Sequence, residues 1–115
     1  MTTRNKGAFD LETYDYYAKQ LIEKAHQIET AKRPAYTVGS VDVHANFKRT
    51  AELAGITPGQ VLAVFMTKHY DAILSALARP ELPQAEEIEG RFADLINYAK
   101  LGYTLLMAQK ELQTK

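Results

Sequence analysis

The chain of 115 residues has no cysteine and no tryptophan, and its formal net charge is zero. Without cysteine there is no disulfide, no thiolate metal site and no cysteine nucleophile. That composition suits a reducing cytoplasm, which is the expected location. Balanced charge removes the electrostatic footprint of a general nucleic-acid binder, so nucleic acid is not an expected partner. Long hydrophobic runs are missing as well: no uninterrupted apolar stretch approaches the roughly 18 residues of a membrane span. Residues Met1 to Gly7 are polar and lack the apolar segment of a secretory signal. No membrane partner is expected. What remains is an apolar fraction of 46%, ordinary for a globular protein, in a chain long enough to bury one core unaided.

The periodicity is helical throughout. Residues 1–9 read as a flexible tail and 10–115 as a single domain. From Asp10, the apolar residues Leu11, Tyr14, Ala18, Leu21, Ile22, Ala25 and Ile28 recur with helical spacing, and Pro34 stops the pattern, predicting a helix over about 10–32. A loop over 34–40 follows, with Gly39 free to take positive φ. A second helix over about 41–54 carries Val43, Phe47, Ala51 and Leu53 and ends at Gly55. Thr57, Pro58 and Gln60 form the clearest start signal, an N-cap, a proline at N1 and the partner of a capping box. That third helix runs to about Arg79, before Pro80 and Pro83. A fourth, over about 84–112, shows a core stripe of Ile88, Phe92, Leu95, Ala99 and Leu106. No segment alternates like a strand. The fold class is all-α, a bundle of about four helices with short connections between antiparallel neighbours. The last half of the fourth helix, Gly102 to Leu112, outruns the others. Its apolar end is completed either by the first helix of the same chain or by a partner subunit in a homo-oligomer.

Several polar residues stand where apolar ones are expected. The third helix opens Val61-Leu62-Ala63-Val64-Phe65-Met66 and then turns to Lys68, His69 and Asp71. Lys68 and Asp71 are three apart and face each other on the helix surface. They read either as a solvated ion pair or as an anion-binding lysine beside an aspartate that holds a cation or a water. His69 shares the stripe of Leu62, Phe65, Met66 and Ile73 and reads as a hydrogen-bonded core residue. On the fourth helix Glu87, Arg91, Asp94 and Tyr98 share one face. Carboxylates one or two turns apart can hold Mg²⁺, which prefers oxygen ligands, and such an ion could clamp phosphate oxygens. Acidic residues in the first turn also simply favour the helix dipole. Asp94, mid-helix among apolar neighbours, is the strongest candidate. Tyr36, His44, Asn46 and Lys48 lie in or after the loop; they serve local packing, or reach a base or ribose if the second helix faces the third and fourth.

The ordered set Tyr36-x-x-Gly39, Asn46-Phe47, Lys68 and Asp94-Leu95-Ile96-Asn97-Tyr98-Ala99 resembles the phage and bacterial family called nucleotide-modification-associated domain 1, over about residues 33–108. The resemblance implies a helical domain of phage nucleotide metabolism or modified-DNA pathways. The same helices are similar, more distantly, to the MazG-type all-α NTP pyrophosphatases, which hold Mg²⁺ with Glu-x-x-Glu and Glu-x-x-Asp pairs. This chain departs from that pattern, because Arg91 stands three residues before Asp94 and Glu87 stands seven before it. The departure weighs against catalysis more than against binding.

Two functional expectations follow. One is a nucleotide-binding or nucleotide-processing domain. Lys68 would meet phosphate, Asp94 with Asp71 or Glu87 would hold Mg²⁺, and Asn46, Asn97, His44 and Tyr36 would contact the substrate. If it is an enzyme, the reaction is metal-assisted NTP pyrophosphohydrolysis. The other is a non-catalytic helical interaction protein, such as a phage factor that binds and inhibits a host protein, with the polar cluster as an ion-pair network that fixes the bundle.

Overall fold

A computed structural model describes residues 9–83 and 87–114. It contains four helices, α1 (Leu11–Thr37), α2 (Ala45–Ala54), α3 (Pro58–Ala78) and α4 (Ile88–Thr114), and no strand among the described residues. The all-α bundle expected from periodicity is the fold. The expected tail lies outside the described residues except for Phe9. α4 is the central element, packed most heavily on α3 and nearly as heavily on α1, while α2 bridges α1 and α3. The core joins Tyr36, Phe47, Ala51, Val61, Leu62 and Leu101, with Phe65, Met66 and Tyr98 packed against it. Phe47 is fully enclosed and its ring lies between those of Tyr36 and Phe65. Gly102 lets α3 and α4 approach closely, since a Cβ there would stand 3.0 Å from Leu62 Cδ2.

Local rules explain the element ends. Asp10 caps α1 by accepting from the Thr13 amide at 2.8 Å. The capping box of α3 forms as expected, with Gln60 N donating to Thr57 Oγ1 and Thr57 N donating to Gln60 Oε1. Gly55 closes α2 in the left-handed region at φ 72°.

Two ends differ from expectation. α1 runs through Pro34 to Thr37. Proline removes one helical hydrogen bond at a cost of about 3 kcal/mol, but the extra turn carries Tyr36 into the core, where its ring stacks on Phe47. Val38 then ends the helix at φ 49°, the one described non-glycine residue with positive φ, and Gly39 follows at φ 77°. α2 starts at Ala45 rather than near 41. Ser40 Oγ accepts from Asp42 N, and Asp42 Oδ1 accepts from His44 N, so these side chains hold a turn where helix was expected.

The face of α4 is a further correction. The stripe Ile88, Phe92, Leu95, Ala99 and Leu106 does not form the core; its members are half-buried or exposed, with Leu106 55% exposed. The buried face is Ala93, Asp94, Asn97, Leu101 and Leu105. α4 is apolar on both sides, so spacing alone picks the wrong one.

α3 corrects the reading of hydrophobic length. By length and composition it could cross a bilayer, with a mean hydropathy of 1.3. In the bundle it gives Val61, Leu62, His69 and Ile73 to the core, while Val64, Tyr70, Leu74 and Leu77 remain exposed. Lys68 and Asp71 near its middle would each cost about 2.5–3.5 kcal/mol at a bilayer centre.

Candidate functional site

The polar residues converge where α1, α3 and α4 meet. Asp94 is buried on α4 between cationic and imidazole groups: Lys32 Nζ of α1 lies 3.4 Å from Oδ1, and His69 Nδ1 of α3 lies 3.7 Å from Oδ2. Arg91, one turn before Asp94, places Nη1 3.4 Å from the same His69 nitrogen. Burial depresses the His69 pKa, with the nearby Asp94 carboxylate opposing and Arg91 reinforcing the effect. A neutral ring with Nδ1 unprotonated accepts from the Arg91 guanidinium, which assigns the other nitrogen as the protonated one. The Tyr98 ring packs 5.4 Å from the imidazole. This knot therefore satisfies itself: an anion, two cations and a neutral imidazole from three helices.

Asn97 continues it one turn further along α4. It is 1% exposed, and its amide donates to the Ala25 carbonyl of α1 at 2.8 Å, while Oδ1 is buried without a hydrogen-bond partner. Such an orphan acceptor costs about 1–3 kcal/mol.

Beyond the knot, α1 and α4 flank a cleft of about 260 Å³ lined by Glu29, Arg33, Tyr36, Val43, Lys100, Leu101 and Thr104. Glu29 pairs with Lys100 at 2.6 Å and with Arg33 at 3.3 Å, and the Lys100 hydrogen bond holds its carboxyl below the usual range. The cleft is mainly apolar with a cationic rim. Burial, reinforced by Tyr98, Asp94 and Glu29, pushes the Tyr36 phenol up to about 12, so it stays neutral. Behind the cleft, buried His44 shares a 3.0 Å hydrogen bond with Thr104.

The residues expected to form one site are divided. Asp94 and Asn97 are buried on α4, and Tyr36 and His44 sit along the α1–α4 cleft. Asn46 is half-buried on α2, and Lys48 is exposed and paired with Asp42. Lys68 and Asp71 are exposed on α3. Asp71 lies two residues, about 200° of helix rotation, from His69, so it faces away from the side that meets Asp94. Among the described residues no ion pair joins Lys68 or Asp71 to Asp94. Glu87 is exposed just before α4, roughly 10 Å along the axis from Asp94.

These carboxylates do not fit Mg²⁺. Asp94 is committed to Lys32 and His69, Asp71 faces outward, and the described residues hold no cluster of three metal-binding side chains. α3 and α4 do meet at polar residues, but these are His69, Arg91 and Asp94, joined by Lys32 of α1, and not the expected Lys68 and Asp71.

Lys32 is absent from the residues expected from the sequence, although a signal for it exists. It continues the spacing Leu11, Tyr14, Ala18, Leu21, Ala25 and Ile28, a lysine at a seam position that demands a partner. Glu29, Arg33 and Lys100 carry no such mark. No family model, curated protein or solved structure matches this chain, so the resemblance to nucleotide-modification domains rests on the quoted residues alone.

Proposed function

We propose that this chain is a non-catalytic helical interaction protein that binds a protein partner through its uncovered apolar helix faces. The observation that carries the reading is the outer side of α4. Ala99, Tyr103 and Leu106 continue the stripe of Phe92 and Leu95 and stand exposed, while α3 adds Val64, Tyr70, Leu74 and Leu77. A helix apolar on both sides is ordinarily covered on both, and exposed apolar patches of this kind mark interaction sites. The knot of Lys32, Asp94, His69 and Arg91 supports the same reading, since its groups are used in holding three helices together. The partner proposed is a host protein.

The test joins two measurements. Capture of a protein by the immobilised chain is expected to be lost in Leu106→Glu and retained in Lys68→Ala. A thermal-shift panel of nucleoside triphosphates, with and without Mg²⁺, is expected to leave the melting temperature unchanged. A ligand held only by the native state would raise it.

A nucleotide-binding domain is the second reading, favoured by the cleft. Its rim of Arg33 and Lys100, one positive charge in excess over the Glu29 they share, suits phosphate, and its Tyr36, Val43 and Leu101 floor suits an apolar or aromatic body. A thermal shift abolished by Lys100→Glu but kept in Lys68→Ala would support that reading over the first.

A further inference from the structure

The first half of α1 carries a face that the described residues leave largely open. Leu11, Tyr14, Ala18, Leu21, Ala25 and Ile28 recur at alternating steps of three and four, the spacing of a coiled-coil seam. From Ala25 onward the seam lies on α4: Ala25 is buried against Asn97, and Lys32 meets Asp94. Before Ala25, Leu11 is 73% and Tyr14 60% exposed and Ala18 and Leu21 are half-buried, while Tyr17 and Ile22 on the two flanks of the seam are each more than half exposed.

We propose that a second copy of this chain covers this face, its α1 arm lying antiparallel across the first about a two-fold axis at the level of residue 16, beside Tyr17. The proposal rests on reading the apolar faces as partner surfaces, and it names the partner of one of them.

Three features of the arm fit a copy of itself. Antiparallel pairing sets Leu11 against Leu21 of the second copy and Tyr14 against its Ala18, so the largest seam side chain meets the smallest. The charge order suits this direction: Asp10, Glu12 and Asp15 precede Lys19 and Lys24, with Glu23 the one acid in the later half, and reversal brings the acidic end of one arm beside the lysines of the other. A parallel pair would align acids with acids. Finally, the exposed seam and flank side chains offer on the order of 500 Å² per copy, the size of a weak pair that separates on dilution. The contact is isologous and closes at two copies, and a neutral chain adds no net repulsion.

Sedimentation velocity of the full chain across a hundredfold dilution tests it. The expected result is a species of twice 12.9 kDa that dissociates on dilution. Tyr14→Glu combined with Leu11→Glu should give a monomer with unchanged helical circular dichroism, because both side chains are exposed. Leu106→Glu should leave the dimer intact. A wild-type monomer throughout, or dissociation by Leu106→Glu and not by the arm variant, overturns the proposal. The absence of cysteine makes the direction readable: Tyr17→Cys should form a disulfide between copies, and Leu11→Cys should not. Equal cross-linking by both overturns the antiparallel arrangement. A monomer that still captures a protein through Leu106 overturns self-pairing alone and leaves the interaction reading standing.

Discussion

The two halves of α1 have the same spacing and opposite fates. From Ala25 to Thr37 the seam is folded onto α4 and ends with Tyr36 stacked on Phe47. From Leu11 to Leu21 the same periodicity is only partly covered, with Leu11 and Tyr14 exposed and Ala18 and Leu21 half-buried. Amphipathic spacing therefore marks a face that needs covering, without saying what covers it. What separates the halves is polar chemistry: Glu29, Lys32 and the Ala25 carbonyl each find a partner on α4, in Lys100, Asp94 and Asn97.

The largest way to break this contrast is Tyr36→Ala, which should cost about 3–5 kcal/mol, as for other buried aromatics. Tyr14→Ala, on the open half, should change the unfolding free energy of the dilute monomer by less than about 0.5 kcal/mol. Urea denaturation of both variants at low protein concentration checks the pair, and comparable losses would erase the distinction. Next comes Asp94→Asn, which leaves the shape and removes the charge. It should cost about 1–2 kcal/mol, below the full figure for a broken buried pair because Lys32 is partly solvated. Lys32→Met added to Asp94→Asn should then be nearly neutral, a coupling that a double-mutant cycle reads directly.

A smaller effect is expected with pH. His69 has a folded pKa below its unfolded value, so the unfolded chain binds the extra proton first. Its contribution is complete above about pH 6.5 and is lost as pH falls toward the depressed folded value. Melting curves between pH 7.5 and about 5 should show a decline that His69→Gln flattens. Val38→Gly is a change in the other direction. It relieves a β-branched residue at φ 49° and should stabilise α1 by about 0.5–1 kcal/mol.

The class of fold and the number of helices are legible in the sequence because each helix has a 3.6-residue pattern and a chemical end. Thr57, Pro58, Gln60 and Gly55 illustrate this, each acting as its side chain dictates. The extension of α1 through Pro34 is not legible, because a tertiary gain at Tyr36 overrides a local penalty. The working face of α4 is hidden by its apolar residues on both sides; Asp94 and Asn97 stand inside only because α1 and α3 bring them partners. His69 is the hydrogen-bonded core residue that its place on an apolar stripe implies. Lys68 and Asp71 illustrate the opposite failure: charges next to a hydrophobic run invite a functional reading, yet a helix rotates by 100° per residue and carries them to solvent.

Lys32 also acts as a detent. If α1 slid along α4 by a single turn, about 5.4 Å, the ammonium would leave Asp94 to the neutral imidazole of His69 and the Arg91 guanidinium that shares it. Intermediate positions offer the carboxylate nothing better. α1 thus has one resting place rather than a continuum, and a pull on its exposed end would be felt at Asp94 before the greasy contacts around Phe47 began to part.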